Sequence, residues 1–375
     1  MKFVVEPAEL VDAVNWVARS LSTRPIRPEL FGIMVDVDTV ITLTGSDLET
    51  STTAILKAEI ETKGKVLVPG RLLAEIARSL PNKLITFTLD GTRVLVTAGT
   101  AKFVLPTLSV TDYPSLPNLP AVAGIIPSDV FTHAVNQVAV AAGKDDSLPS
   151  LTGVHIEMTA HTIVLAATDR YRLAVREINW QAENPNFEAE TLVRARTLSE
   201  ATKSLTAHTQ VTLALSPTST NENLIGFASE LKTMTSRTLD GSFPPFKHLL
   251  PKESVSQATI EVSPFLDSVK RVALVTDKTV PLRLIFSGNS LQLEAGTGEE
   301  AQATEELDIV YNGEEISIAF NPQYLTDGLQ AIGTPYVHID FTSASKPAVL
   351  TGKHELNGNK DETYKYLLMP MHYRA

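Results

Sequence analysis

The chain has 375 residues, is 43% hydrophobic and contains no cysteine, which excludes disulfide bonds, thiol catalysis and cysteine-based zinc sites. Its 32 basic and 43 acidic residues give a net charge of −11, which is the wrong sign for a simple nucleic-acid binder. The segment Met1–Glu6 alternates like a strand and lacks the pattern of a signal peptide, and no apolar run reaches the roughly 18 residues of a membrane span. We therefore expect a cytoplasmic protein without membrane contact.

Two helix patterns occur three times along the chain. The first places proline or serine before an apolar run of helical spacing, at Pro7–Val14, Pro127–Val135 and Ser263–Val269. The second follows about 60 residues later in each case, at Val68–Ile76, Val193–Ala201 and Phe320–Leu329. The repeat is about 120 residues long, which is the size of a domain. We therefore expect three domains, with the bounds 1–120, 121–251 and 252–375.

Short segments of alternating apolar and polar residues follow the helices. They are Thr39–Thr44, Ile85–Leu89, Thr162–Leu165, Val211–Leu215, Ser290–Glu294 and Val337–Phe341. Their alternation and their β-branched residues predict strands with one buried face, and the short connections favour antiparallel pairing. The expected fold class is α+β, in which each of three repeated domains has two helices on one side of antiparallel sheets.

The predicted helices carry no net charge as a group, so the acidic excess lies in the strands and loops. The predicted helical ranges are 7–21, 69–80, 127–143, 194–205, 264–277 and 322–332. If these helices share one surface, that surface repels a polyanion less than the rest of the protein does. A chance distribution of charge explains the same pattern equally well, and both interpretations stay open here.

The sequence lacks the common catalytic motifs. A nucleophile elbow, a phosphate-binding P-loop, a dinucleotide-binding glycine motif and a His-Glu-x-x-His zinc motif are all absent. The eight histidines show no metal-ligand spacing. We therefore expect no enzyme activity, no cofactor and no metal.

The middle repeat carries a distinctive turn. Its segment Ala166–Val175 corresponds to Thr44–Glu49 of the first repeat, and in both a Ser or Thr precedes an Asp that closes a turn between strands. Only the middle copy adds the run Arg170–Arg172, which favours a functional role there. The last strand ends in Met369–Met371, which is either an adaptable apolar binding surface or a simple buried terminal strand.

Together these features resemble one family. The threefold repeat, Ala-Thr-Asp-Arg-Tyr-Arg-Leu-Ala at 167–174, Phe243-Pro244, Leu250-Pro251 and the closing Tyr-Leu-Leu-Met-Pro-Met at 366–371 are similar to the bacterial β sliding clamps, the processivity subunits of the replicative DNA polymerase. The resemblance covers essentially the whole chain and rests on the order and spacing of the motifs. It implies a non-catalytic head-to-tail homodimer whose six domains form a ring around double-stranded DNA without sequence preference.

The ring that the resemblance implies is lined by twelve helices. At a packing distance of about 9 Å these helices span a circumference of roughly 108 Å and leave a hole of roughly 24 Å, through which a duplex can pass. The resemblance also implies the partners, which are the polymerase alpha subunit, the clamp loader and other proteins with a clamp-binding motif. Each partner inserts a short peptide into a pocket between the second and third domains.

Three groups of residues receive roles from the resemblance. The peptide pocket comprises Leu151, Thr168, Tyr171, Arg172, Leu173, Pro244, His248, Leu249, Leu367, Met369, Pro370 and Met371. The DNA-contacting group comprises a loop arginine and basic residues at the predicted helices, namely Arg24, Arg71, Arg78, Arg194, Arg196, Lys203 and Lys270. The dimer interface comprises Phe103 and Leu105 on one side and Ala273 and Leu274 on the other.

Some positions depart from the family pattern. His248 stands where relatives often carry a permanent charge, so the charge at the pocket edge is expected to vary with pH. Pro149-Ser150 replaces an aromatic pair that touches DNA in some relatives, and the polar segment 351–363 matches no family motif. The alternative to a main replicative clamp is a peptide-binding scaffold outside replication, such as a duplicated clamp kept for a special polymerase or for drug tolerance.

Overall fold

The computed structural model describes residues 1–205, 209–217, 222–251, 253–275, 280–296 and 301–372. The chain forms two compact units. Unit 1 consists of Met1–Phe131, Trp180–Phe187 and Glu200–Thr238, and unit 2 consists of Thr132–Asn179, Glu188–Ser199 and Leu239–Ala375. The middle repeat of the sequence therefore contributes strands to both units.

The described ranges contain six α-helices, as the two repeated helix patterns predict. They are α1 (Pro7–Ala18), α2 (Gly70–Ser79), α3 (Ser128–Ala139), α4 (Ala195–Leu205), α5 (Val262–Val272) and α6 (Pro322–Ile332). The bounds of α6 agree with the prediction, and Asn321 caps it by accepting hydrogen bonds from the N–H groups of Gln323 and Tyr324. Among the described residues, none of the helices is both long and apolar enough to cross a membrane.

Helices α1 and α3 end earlier than the spacing of apolar residues predicts. The prediction extends them to residues 21 and 143, whereas they end at Ala18 and Ala139. After α1 the chain tightens, because the Ser20 N–H donates to the Val17 carbonyl three residues back. The buried Leu21 keeps the apolar spacing through this turn, so the spacing does not reveal where the helix ends.

Helix α5 is displaced relative to its predicted range of 264–277. It begins at Val262, ends at Val272 and is followed by a 3₁₀ turn at Ala273–Val275. The last predicted helical residues, 276 and 277, lie outside the described residues.

Unit 1 contains two antiparallel sheets. The five-stranded sheet has the order β5 (Glu59–Thr62), β1 (Lys2–Val5), β7 (Ile85–Asp90), β8 (Arg93–Ala98), β9 (Ala101–Pro106). The nine-stranded sheet has the order β14 (Gln181–Ala182), β10 (Val122–Pro127), β16 (Gln210–Leu215), β17 (Leu224–Ala228), β18 (Lys232–Arg237), β4 (Thr50–Leu56), β3 (Ile41–Ser46), β2 (Gly32–Val37), β6 (Gly64–Pro69). Helices α1 and α2 pack together in this unit, and Phe3 stacks on Phe87 in its core with ring centroids 4.9 Å apart.

Unit 2 also contains two antiparallel sheets. The nine-stranded sheet has the order β15 (Ala189–Arg194), β11 (Gly153–Met158), β12 (Thr162–Thr168), β13 (Arg172–Asn179), β27 (Tyr364–Leu368), β26 (Ala348–Lys353), β25 (Tyr336–Phe341), β19 (Ser256–Glu261), β23 (Val310–Asn312). The four-stranded sheet has the order β22 (Ala303–Asp308), β21 (Ser290–Ala295), β20 (Leu282–Ser287), β24 (Ile316–Phe320). Helices α5 and α6 pack together in this unit.

The strand predictions are confirmed, because all six predicted segments overlap observed strands, namely β3, β7, β12, β16, β21 and β25. Strand β27 has a special place in unit 2, since it pairs with β13 of the middle repeat on one side and β26 of the last repeat on the other. It therefore joins two repeats in one continuous sheet.

Candidate functional site

The turn between β12 and β13 is held by its own side chains. The Thr168 hydroxyl accepts a hydrogen bond from the Arg170 N–H (3.1 Å) and donates to the Arg172 carbonyl (2.7 Å). The Asp169 carboxylate accepts from the N–H groups of Tyr171 (3.0 Å) and Arg172 (3.1 Å). Arg170 at the tip has a left-handed backbone with φ of 81°. The turn leaves Tyr171 56% exposed and buries Arg172 to 5% exposure.

The buried guanidinium of Arg172 has partners on several sides. Its Nε donates to Asp169 (3.0 Å), and its Nη1 donates to Asp327 of α6 (2.6 Å) and to the Tyr366 hydroxyl (3.4 Å). Its central carbon lies 4.4 Å from the centroid of the Tyr324 ring, a cation–π contact. Burial works against the charge, but the oxygen atoms of these partners outweigh burial and raise the pKa of Arg172.

Arg172 also forms part of the wall of a cavity of about 410 Å³, which we call the Arg172 cavity. Three predicted pocket residues line it, namely Leu151, Tyr171 and Arg172. The other lining residues come from this turn, from the segment after α3 and from the start of α6, namely Ala142, Gly143, Lys144, Asp145, Leu148, Asp169, Arg170, Gln323, Tyr324 and Asp327. The sequence motifs do not identify the last two segments.

One sequence signal points to Asp327. The second helix of each repeat carries an acidic residue at the same position of the aligned pattern, namely Glu75, Glu200 and Asp327. Of these three residues, Asp327 forms an ion pair with Arg172 of the middle turn. The corresponding residue of the first turn is Thr50, which carries no charge. All three repeats have the acidic residue, but only the middle repeat has the arginine. This difference is the sequence signal that points to an Arg172–Asp327 ion pair.

Two predicted pocket residues, Leu173 and Leu367, are buried and face away from Arg172, because neighbouring residues of a strand point to opposite faces of the sheet. Leu173 and Leu367 belong to a buried cluster, the Leu173 cluster, together with Ala166, Phe246 and Val349. The segment 243–250 packs on this cluster through Phe243 and Leu250 and exposes three predicted pocket residues, namely Pro244, His248 and Leu249. Leu173 and Leu367 therefore lie beneath the segment 243–250 and not in the lining of the Arg172 cavity.

His155 and Glu157 of β11 hold this covering segment in place. The His155 ring stacks on Phe243 with centroids 5.0 Å apart, and its Nε2 lies 3.3 Å from the Glu157 carboxylate. Glu157 also accepts a hydrogen bond from Lys247 (2.6 Å). Burial raises the pKa of Glu157, but the bonds to Lys247 and His155 outweigh burial and lower it. The sequence motifs do not identify these two residues.

The segment Met369–Met371 follows β27 directly. The Met369 N–H donates to the Tyr171 carbonyl (2.9 Å), and the Met371 N–H donates to the Ala319 carbonyl of β24 (2.8 Å). Both methionine side chains are exposed, and Pro370 between them is half-buried. The segment is therefore fixed by its main chain and leaves apolar side chains open to solvent.

The polar segment 351–363 is anchored at the other end of β27. The Arg176 Nη1 donates to Asp361 (2.7 Å), and the Lys360 Nζ donates to Asp340 (3.0 Å). Burial raises the pKa of Asp340, but the neighbouring His338 ring at 3.4 Å and the hydrogen bond from Lys360 outweigh burial and hold the pKa well below its usual value. This segment therefore has a structural attachment within unit 2.

Most residues predicted to contact DNA are exposed. In unit 1 these are Arg24, Arg71, Arg78 and Lys203, and in unit 2 they are Arg196 and Lys270. Arg194 is half-buried and ends β15 instead of starting a helix. Lys203 forms an ion pair with Glu200 at 3.0 Å. The carboxylate partly offsets the positive charge that Lys203 presents to a phosphate.

The residues predicted at the dimer interface differ in exposure. Leu274 is almost fully exposed, and Phe103 and Ala273 are half-buried. Leu105 is fully buried, because it faces the core side of β9. Only the main chain of Leu105 is therefore at the sheet edge.

Comparison with known proteins assigns the whole chain to one group. Family models of the DNA polymerase III beta subunit match in succession, the N-terminal domain to residues 1–117, the central domain to 125–245 and the C-terminal domain to 247–372. The beta sliding clamp of Streptomyces coelicolor is 48% identical over 99% of this chain and 99% of its own length. The beta sliding clamp homolog GriR of Streptomyces muensis is 41% identical over 100% of both chains.

A solved structure agrees with this assignment. The sliding clamp (DNA polymerase III subunit beta) of Pseudomonas aeruginosa bound to griselimycin matches with a TM-score of 0.91 at 26% identity, over 100% of both chains. The fold is thus the three-domain clamp fold of helices and antiparallel sheets. The chain belongs to the family of DNA polymerase III beta subunits, the ring-shaped sliding clamps that encircle duplex DNA, bind partner proteins and give the polymerase processivity without catalysing a reaction.

Proposed function

We propose that two copies of this chain close head to tail around DNA in the cytoplasm, with domain boundaries near residues 120 and 251, after opening by a clamp loader. Two edge strands support this assembly, because β9 and β22 are each outermost in their sheets. Strand β9 exposes Lys102 and Val104, whereas β22 exposes Glu306 and Asp308. Opposite charges favour pairing of β9 in one copy with β22 in the other.

The exposed basic residues suit loose contact with a duplex. Arg24, Arg71, Arg78, Arg196 and Lys270 are exposed and belong to several different elements. Lysine and arginine side chains bind phosphates without reading sequence, and such binding weakens as salt increases. These contacts therefore permit the ring to slide.

We further propose that the Arg172 cavity and the surface around Met369–Met371 bind a short peptide of the polymerase alpha subunit and of other partners. The observation that carries this proposal is that Leu148 and Tyr171 line one cavity and that Met369 is hydrogen-bonded through its N–H to the Tyr171 carbonyl, so that separate segments of unit 2 with exposed apolar side chains adjoin each other. These side chains are Leu148, Tyr171, Leu249, Met369 and Met371. Extended peptides with Leu and Phe side chains bind such apolar surfaces when polar groups at the edge fix their orientation.

Retention on DNA tests the ring. After loading on a nicked circular plasmid, we expect the protein to remain bound through gel filtration and to leave once a restriction enzyme linearises the plasmid. A salt wash after loading should not remove it from the circle, because the link is topological. Equal retention on circular and linear DNA would sink the proposal.

A double variant tests the pocket. Replacing Met369 and Met371 by alanine should weaken binding of a fluorescent peptide bearing the clamp-binding motif of the alpha subunit by roughly tenfold, the loss expected for two apolar contacts. Leu356→Ala is the matched control, because Leu356 and Met369 are both 38% exposed and Leu356 lies in the polar segment. Unchanged affinity of the double variant would refute the pocket.

A further inference from the structure

The charge of Arg172 is already neutralised within unit 2. Asp169 and Asp327 both contact its guanidinium, at 3.0 and 2.6 Å. Each carboxylate is in turn fixed, because Asp169 accepts from N–H groups of its own turn and Asp327 accepts from the Gln323 side chain at 2.7 Å. A carboxylate of a partner peptide would have to displace one of these two groups to reach Arg172.

The contacts of Arg172 join two walls of the Arg172 cavity. Asp169 and Arg172 belong to the turn of the middle repeat, whereas Tyr324 and Asp327 belong to α6 of the last repeat. The Tyr366 hydroxyl accepts from Arg172 and donates to the Tyr324 carbonyl (2.9 Å), which adds a third connection through β27. A change in the Arg172 contacts would therefore move one wall relative to the other.

Other cations are open to solvent at the mouth of the same cavity. Lys144 and Arg170 line it, and both side chains are exposed. Asp145 of the same lining feels the charge of Arg170, but within the described ranges neither Lys144 nor Arg170 forms an ion pair as close as those of Arg172, so an acidic residue of a bound peptide can reach them more easily. The two arginines of the turn therefore differ, since Arg170 faces outward and Arg172 faces inward.

We propose that Arg172 is a positioning residue, which holds α6 against the middle-repeat turn through Asp327 and so sets the shape of the cavity that receives the peptide, instead of binding the peptide itself. This inference rests on the proposed function of the pocket. It assigns Asp327 a role in peptide affinity through Arg172.

The molecule provides a matched control for Asp327. Arg176 also lies on β13 and pairs with Asp361 at 2.7 Å, and the side chains of Asp327 and Asp361 are 23% and 29% exposed. The Arg176–Asp361 ion pair resembles the Arg172–Asp327 pair, but neither Arg176 nor Asp361 lines the cavity. Loss of Asp361 therefore removes an ion pair at the other end of β27 without altering the cavity walls.

The experiment compares Asp327→Asn, Asp327→Glu and Asp361→Asn in the full-length protein. We expect Asp327→Asn to weaken the fluorescent alpha-subunit peptide by roughly fivefold or more, Asp327→Glu to recover part of this loss, and Asp361→Asn to stay within about twofold. In the ligand-free protein, the NMR resonance of the Arg172 Nε–H group should shift in Asp327→Asn and not in Asp361→Asn. A merely global loss of stability would not produce this pattern.

Two results would overturn the inference. The first is unchanged peptide affinity in Asp327→Asn, and the second is weakened affinity with an unshifted Arg172 resonance, which would mean that Asp327 touches the peptide directly. Failure of the proposed function is distinguishable, because the Met369 and Met371 double variant would then keep full affinity. Should Asp327→Asn not fold, the affinity and the Arg172 resonance of Asp327→Glu, which keeps the charge at a shifted position, give the same two readouts.

Discussion

Two turns of this chain have the same backbone and different surroundings. In the first repeat, Ser46 accepts from the Leu48 N–H (3.0 Å) and Asp47 accepts from the N–H groups of Glu49 and Thr50 (3.1 and 2.7 Å). Thr168 and Asp169 make the same bonds in the middle repeat, and the tip residues have φ of 78° and 81°. The turn itself is therefore a structural feature, and its function depends on the residues that come after the aspartate.

The fifth residue of each turn makes the difference. Thr50 lies 3.3 Å from the Ser236 hydroxyl in unit 1, whereas Arg172 enters a network of carboxylates and tyrosines in unit 2. Burial raises the pKa of Asp47, and no cation among the described residues offsets this effect. Asp169 instead pairs with Arg172. The same aspartate therefore closes a turn in one copy and balances a buried charge in the other.

The largest expected effect comes from removing the two aspartate charges. Asp169→Asn should destabilise the protein by about 2 kcal/mol, because it takes away one carboxylate from a buried guanidinium. Asp47→Asn should change stability by less than about 0.5 kcal/mol, because the amide oxygen can still accept the turn bonds. Scanning calorimetry measures the stability of the two variants. Equal losses of stability would contradict the difference proposed between the two turns.

The support behind the middle turn gives the next effect. Gly328 of α6 lies against Tyr366, and a Cβ at this position would be 2.4 Å from Cε1 of that ring. Gly328→Ala should therefore cost about 1 kcal/mol, because the better helix propensity of alanine offsets part of the overpacking. It should also weaken peptide binding, since Tyr366 contacts Arg172. Gly358→Ala is the control, because its Cβ would meet its nearest neighbour at 3.3 Å in an exposed loop. An equally large loss of stability in Gly358→Ala, measured by calorimetry, would show that the contact of Gly328 with Tyr366 is not the cause.

A smaller and equal effect is expected at the two turn tips. Leu48→Gly and Arg170→Gly each relieve a left-handed backbone and add flexibility to the unfolded chain, so both should change stability by less than about 1 kcal/mol. Because the backbone is the same, the two changes should agree with each other. Thermal midpoints that move in opposite directions would show that the turns are not equivalent.

The smallest effect is a pH dependence at Asp47. Its raised pKa means that the unfolded carboxyl loses its proton before the folded one does, so its contribution to stability is present at low pH and is lost as pH rises. Between about pH 4 and pH 6, Asp47→Asn should therefore gain stability relative to the unchanged protein. Thermal midpoints across this range check the sign, and a relative loss with rising pH would contradict it.

The local structure of this chain could be predicted well because it depends on short patterns. Apolar spacing predicts all six helices, and alternation predicts β3, β7, β12, β16, β21 and β25. The tight turn after α1 keeps the apolar spacing, because Leu21 in it is buried like the apolar residues of the helix. The spacing therefore does not predict where α1 ends. Strand β9 has apolar residues on both faces, so its alternation does not show that Leu105 is buried and Val104 is exposed.

The candidate site could be predicted only in part. Tyr171 and Arg172 are unusual within the repeat, and this made them visible in the sequence. Asp327 and Tyr324 are far from them along the chain and reach them only through the packing of α6. The stacking of His155 on Phe243 depends in the same way on how a linker folds back on β11. Contacts of this kind have no local sequence pattern.

Whether the middle turn alone takes part in peptide binding is decided by the affinity of the fluorescent alpha-subunit peptide for two variants, each with one turn residue replaced. Tyr171→Ala removes the exposed ring of the middle turn, and Leu48→Ala removes the exposed side chain at the tip of the first. We expect Tyr171→Ala to weaken binding by roughly tenfold and Leu48→Ala to stay within about twofold. Equal affinities for both variants, or a loss confined to Leu48→Ala, would contradict this expectation.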